Sequence, residues 1–156
     1  MDKLFYTNEA LTEKSAVPQG SDLPAIYFEL LEYDLRSLPS GVTIYDIEWT
    51  SEGITTDIET AEAKAEKLAQ IKALKIVRES ALANNTVTML GHEFDARPKD
   101  LANIQIGIDK SESLWPDVND YMVDVTTTDL QFLLTTGVEQ GESIWDTYKQ
   151  AVKAIQ

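Results

Sequence analysis

The sequence predicts an α+β protein, with an N-terminal extended or hairpin segment followed by a mainly helical domain with short strands. Three observations carry that reading. Residues 59–84 contain no Gly or Pro and are rich in Ala, Glu, Lys and Leu, the composition of a long helix. Residues 1–59 hold seven of the thirteen aromatic residues and three of the five prolines, Pro18, Pro24 and Pro39, a mixture that suits short extended segments joined by turns. Charge divides at the same place. Residues 1–59 carry 12 acids and 3 bases, a net of −9, and residues 60–156 carry 15 acids and 10 bases, a net of −5. The expected organisation is therefore an N-terminal segment, 1–59, and a helical domain, 60–156.

The elements follow in order. Residues 1–25 read as extended, with turns at Pro18-Gln19-Gly20 and around Pro24. Ile26 to Leu35 suits either a strand or a short helix. Leu38-Pro39-Ser40-Gly41 is a turn, and Val42 to Trp49, rich in β-branched and aromatic residues, reads as a strand. The long helix of 59–84 has Thr56 or Asp57 as its cap and Asn84-Asn85 as its stop. Its apolar residues Leu68, Ile71, Leu74, Val77, Ala81 and Leu82 cover a wide arc, with Ala69, Ala73 and Ile76 on the other side. A surface helix usually shows one stripe, so the expectation is an interior helix, with contact to another chain as the alternative. Thr86 to Asp95 forms a hairpin turning at Leu90-Gly91. Pro98 opens a helix through Leu101, Ile104, Gln105 and Ile108. Trp115 to Asp120 is read as a loop and Tyr121 to Val125 as a short strand. Thr126 with Asp129 resembles a capping box for a last helix, in which Gly137 and Gly141 are expected to cause a kink or a break.

Composition removes several classes of function. The 156 residues include no cysteine, so neither disulfides nor thiolate metal sites arise. A net charge of −14 repels phosphate backbones and anionic membranes, so no nucleic-acid or membrane partner is expected. No stretch approaches the roughly 20 apolar residues of a membrane span. Met1-Asp2-Lys3-Leu4-Phe5 lacks the features of a signal peptide.

Candidate chemistry is sparse. His92 is the only histidine, and with Asp95 it supplies at most two ligands where zinc takes three or four. Asp117-Val118-Asn119-Asp120 starts like a calcium loop, but Met122 stands at the glycine position and no Glu closes it, so it reads as an Asx-rich turn. Nucleophile and phosphate-loop motifs are missing. The expectation is a non-enzyme with no catalytic residue, no cofactor and no metal. The aromatic residues Phe5, Tyr6, Tyr27, Phe28, Tyr33, Tyr45 and Trp49 are the candidates for a protein interface, because aromatics dominate binding hot spots and this segment looks too short to bury them all.

Residues of about 65–156 carry a further pattern. A charged helix precedes a hairpin of the form Gly91-His92-Glu93-Phe94-Asp95. Leu101-Ala102-Asn103-Ile104 follows, then Trp115, then Val125-Thr126-Thr127-Thr128-Asp129-Leu130, and finally Tyr148-Lys149-Gln150-Ala151-Val152-Lys153-Ala154. In order and spacing this resembles a domain of unknown function found in tailed-bacteriophage tail, tail-fibre and tail-tip proteins. The resemblance implies a structural component of the tail, made in the host bacterial cytoplasm, whose partners are other tail proteins or further copies of itself, a trimer being one possibility. It implies no catalytic residues. Two alternatives stand beside it: a tail-fibre assembly chaperone absent from the mature virion, and a hydrolase of host-surface polysaccharide.

Overall fold

The computed structural model describes residues 1–156. It is an α+β protein that divides into two compact units, Met1–Gln70 and Ile71–Gln156. The boundary lies inside the first helix, later than the charge division near residue 60. The reason is local: Ile58, Ala61 and Ala65, on the first turns of that helix, pack into the N-terminal core.

In the first unit, strands β1 (Asp2–Tyr6), β2 (Lys14–Val17) and β3 (Phe28–Tyr33) form an antiparallel sheet in the order β2-β1-β3. Alternation along β1 sends Leu4 and Tyr6 to one face and Phe5 to the other. Leu4 and Tyr6 join Leu31, Val42, Ile47, Trp49 and Ala61 in the core. Opposite Phe5 the β1–β3 register shifts, and Glu29 takes a φ of 44°. Such a bulge leaves a residue outside the ladder. Here its carbonyl accepts from Trp49 Nε1 at 2.9 Å and its carboxylate accepts from Ser51 N at 3.0 Å. The irregularity thus docks the small hairpin of β4 (Trp49–Thr50) and β5 (Gly53–Ile54).

The strand expected over Val42–Trp49 is mostly absent. Ile44–Asp46 is a 3₁₀ turn, and only Trp49–Thr50 pairs. Asp46 Oδ2 accepts from both Thr43 N, at 2.9 Å, and Thr43 Oγ1, at 2.7 Å, while Thr43 Oγ1 accepts from Tyr45 N at 3.3 Å. This reciprocal cap outweighs the β-propensity of the intervening residues.

Helix α1 spans Ile58–Ala83. Asp57 opens it, accepting from Glu59 N at 3.2 Å and Thr60 Oγ1 at 2.6 Å. The expectation of an interior helix is overturned, because Ala61 is its only buried residue. Leu68, Ile76 and Val77 are 55%, 60% and 66% exposed.

The second unit is built on a hairpin and two further helices. Strands β6 (Thr86–Met89) and β7 (His92–Asp95) pair through Leu90 and Gly91, both at positive φ, 53° and 77°, as a tight primed turn requires. Helix α2 (Pro98–Asp109) opens on its proline. Trp115 lies in a strand rather than a loop, since β8 (Leu114–Pro116) pairs with β9 (Met122–Asp124). The Trp115 ring packs so closely on Gly107 of α2 that no side chain fits there, and this contact places the strand. Helix α3 (Thr127–Ile155) is continuous through both glycines. Its cap has the expected reciprocal form, with Asp129 N donating to Thr126 Oγ1 at 3.1 Å and Thr126 N donating to Asp129 Oδ2 at 2.7 Å. Val87, Phe94, Ala96, Ile104, Val125, Leu130 and Leu133 form the core.

Gly137 and Gly141 have different reasons to be there. A Cβ at Gly137 would lie 2.8 Å from Leu101 Cδ2 and 2.9 Å from Ala96 Cβ, whereas one at Gly141 would meet nothing within 4 Å. Gly137→Ala is therefore expected to destabilise by ~1–3 kcal/mol through overpacking. Gly141→Ala is expected to stabilise by ~0.5–1 kcal/mol through helix propensity. Urea unfolding of the two variants measures both, and equal effects would contradict the close approach at Gly137.

Candidate functional site

The seven aromatic residues of the first unit do not form one surface. Phe5, Tyr6 and Trp49 are 3%, 1% and 3% exposed, so these three belong to the chain's own core and are removed as surface candidates. The sheet, the 3₁₀ turns and the start of α1 supply the cover that residues 1–59 alone seemed to lack. Phe28 and Tyr33 are half-buried against the same core. Only Tyr27, 41% exposed, and Tyr45, 73% exposed, face solvent. Tyr27 sits edge-on to Phe5, with ring centroids 6.3 Å apart, and follows the exposed Ile26.

Tyr6 anchors a polar network at the edge of this core. Its ring stacks on Trp49 at a centroid distance of 4.5 Å. Its hydroxyl donates to Glu48 Oε2 at 2.7 Å, and Lys14 Nζ donates to Glu48 Oε1 at 2.6 Å. Burial, reinforced by the Glu48 carboxylate, pushes the Tyr6 phenol up to about 12. The hydrogen bond from Lys14, followed by that from Tyr6, holds the Glu48 carboxyl below its usual range. The three groups are bonded to one another, which marks a structural network.

His92 also has a partner. Its Nδ1 lies 2.9 Å from Asp117 Oδ2. Asp117 Oδ1 accepts from Asn119 N at 2.8 Å and Tyr121 N at 3.0 Å, the geometry of an Asx turn. The hydrogen bond to His92, then those from the backbone, lower the Asp117 carboxyl below its ordinary value. The pair ties the β6–β7 hairpin to the turn before β9. Beside it lies a polar hollow of about 210 Å³ lined by Asp95, Arg97, Asp100, Trp115 and Asp117 among others. Its one cation is occupied, since Arg97 donates to Asp95 Oδ2 at 2.7 Å and to Asp100 Oδ2 at 2.5 Å. No group of three or more His, Asp or Glu side chains is arranged to hold a metal ion. No helix is long and apolar enough to cross a membrane.

Sequence reasoning did not find one apolar recess in the second unit. A groove of about 200 Å³ runs between α1 and α3, lined by Leu74, Val77, Arg78 and Ala81 from one helix and by Ser143, Ile144, Thr147, Tyr148 and Ala151 from the other. The i, i+3, i+4, i+7 spacing on both helices was the available signal. What the spacing does not contain is the pairing of these two stripes, which are far apart in the chain. The Arg78 guanidinium fills the floor, 4.2 Å from the Trp145 ring centroid and 4.5 Å from that of Tyr148. No family model matches this chain, and no curated protein or solved structure gives a match.

Two pH effects follow. Asp117 is depressed in the folded state, so its contribution to stability is complete above the unfolded carboxyl value and disappears as pH falls through the folded one. Asp117→Asn is expected to lower the unfolding midpoint at neutral pH and to flatten the acid limb of the stability profile. An unchanged acid limb would contradict the assignment. Tyr6 is raised, so above about pH 10 the unfolded chain ionises first and stability falls until about pH 12. Phenolate absorbance during alkaline titration should show Tyr6 ionising late in the wild type, and Tyr6→Phe should remove that late step.

Proposed function

We propose that this protein is a non-enzymatic structural component of a bacteriophage tail, an adaptor or a tail-fibre or tail-tip subunit that works through protein–protein contacts. The observation that carries this reading is the use made of the residues that resemble the tail-associated domain. Gly91 makes the hairpin turn, and Phe94, Ile104 and Leu130 are fully buried. Trp115 packs on Gly107, and Thr126 with Asp129 caps α3. Each serves the scaffold, and His92 is engaged with Asp117. A pattern made of scaffold residues supports a shared fold acting through surfaces, in the way that core residues report packing while function resides in sites placed on it.

The surfaces available for such work are the exposed Ile26–Tyr27 stretch, Tyr45, and the apolar faces of α1 and α3. A strongly acidic exterior, with a net charge of −14, favours docking onto basic protein surfaces and keeps a densely packed assembly component soluble.

Mass spectrometry of purified virions provides the test. The expected result is this chain in stoichiometric amount with other tail proteins. Finding it in lysates bound to a fibre protein but missing from virions would replace this reading with that of an assembly chaperone. Turnover of host-surface polysaccharide by the purified protein would refute the non-enzymatic reading.

A further inference from the structure

The outer face of the β8–β9 hairpin is uncovered. Antiparallel pairing sets Leu114 opposite Asp124, Trp115 opposite Val123 and Pro116 opposite Met122. Alternation turns Trp115 and Val123 inward, where both pack against the core of the second unit. It turns Leu114, Pro116, Met122 and Asp124 outward, and all four are exposed. Leu114 is 44% exposed, Met122 59% and the adjoining Tyr121 71%. A small surface that combines tyrosine, methionine and other apolar side chains has the composition of a protein contact.

The turn that joins the two strands is held in advance of any partner. Asp117 Oδ1 accepts from Asn119 N and Tyr121 N, and His92 Nδ1 lies against Asp117 Oδ2. Val118 N donates to Glu93 O at 2.9 Å. A surface fixed in this way loses little freedom on binding.

Charge selects the occupant. No Lys or Arg occurs between Lys110 and Lys149, so the charged residues on and beside this hairpin are all acids: Glu112, Asp117, Asp120 and Asp124. The polar hollow adjoins the face at Pro116, which lines it together with Trp115, Asp117 and Asp120. Asp95, Arg97 and Asp100 complete the charged lining, so four carboxylates meet one guanidinium, a net of −3. Arg97 is engaged with Asp95 and Asp100, and His92 with Asp117. Asp120 is left without a counter-charge. The hollow of about 210 Å³ has room for about seven water-sized groups at ~30 Å³ each, which is the size of one arginine side chain. Arginine brings five N–H donors to acceptors on several sides, and it is enriched at protein interfaces.

We propose that the outer face of β8–β9 and the hollow beside it form one docking site for a segment of another protein. That segment lays apolar side chains on Leu114, Pro116 and Met122 and inserts an arginine into the hollow, where Asp120 is its main counter-charge. Apolar contact supplies affinity, and the acidic hollow rejects segments that lack the cation. The proposal rests on the reading of this chain as a protein that works through protein contacts, and it names the chemistry of one partner.

The test uses the peptide acetyl-Leu-Arg-Leu-amide as the probe, titrated into the isotopically labelled full chain and followed by backbone amide shifts. The expected result is saturable shifts confined to residues 114–124 and to Asp100 and Asn103 at the hollow, with affinity that falls as salt rises. The same peptide with citrulline in place of arginine keeps the shape and loses the charge, and it is expected to bind roughly tenfold more weakly. Asp120→Asn removes the counter-charge with a residue that tolerates the positive φ of 61°, and Met122→Ala trims the apolar face. Each is expected to weaken peptide binding by roughly three- to tenfold, in a chain whose amide spectrum remains that of the folded protein. Asp22→Asn, at an exposed carboxylate of the first unit, is the control and should change nothing. The proposal is overturned by the absence of saturable shifts at these residues, by equal binding of the citrulline peptide, or by unchanged affinity in both Asp120→Asn and Met122→Ala. None of these outcomes depends on finding the chain in virions, so failure of this site and failure of the tail reading are distinguished.

Discussion

The second unit depends on one buried amide. Asn85 is 8% exposed, and its side chain donates to Ala96 O at 3.0 Å and to Gly137 O at 3.3 Å. Its own carbonyl accepts from Ala96 N at 2.9 Å. One residue thereby joins the end of α1, the end of β7 and the middle of α3. The close approach of α3 is possible because residue 137 has no Cβ, so the backbone carbonyl of α3 comes within reach of the amide. A buried polar group with its partners in place specifies a single arrangement, and leaving any partner unpaired carries the full desolvation cost. The hairpin, α2 and the start of α3 then close around Phe94, Ile104, Leu130 and Leu133, which water does not reach.

The first unit solves the same problem with an irregular strand. The bulge at Glu29 turns a backbone carbonyl out of the sheet, and the indole of Trp49 takes it. Trp49 is thus held by a hydrogen bond at its polar edge and by stacking on Tyr6 at its face, which suits a ring that is both large and polar at one point. Lys14 and Glu48 complete the enclosure from β2 and the approach to β4. This surface ion pair is exposed on the Glu48 side, and its value lies in positioning the Tyr6 hydroxyl more than in direct electrostatic gain.

These arrangements bear on function through what they leave outside. Several polar residues are engaged in the scaffold: His92 with Asp117, Arg97 with Asp95 and Asp100, Glu48 with Lys14 and Tyr6. Apolar helix face and a few aromatic side chains also reach solvent on an acidic exterior. That division is what the proposal of a protein working by contact with other proteins is built on.

Local signals in the sequence determined the class of fold and most of its elements. The Gly- and Pro-free run of α1, the Leu90-Gly91 turn, Pro98 at the start of α2 and the Thr126/Asp129 cap each act within a few residues, so they can be read from a single chain. The same logic was present in Thr43 and Asp46, where the cap outweighed the β-propensity of Ile44 and Tyr45. Tertiary structure decided what depends on distant partners. It put Tyr6 and Trp49 inside rather than outside, because they pack with Leu4, Leu31, Ile47 and the first turns of α1, and it buried Phe5 on the other face of the sheet beside Tyr27. It made a strand of Trp115, because Gly107 receives the ring, and it kept α3 continuous, with Gly137 serving packing. It also left most of α1 exposed, since helical periodicity shows which residues share a face and not whether anything covers that face.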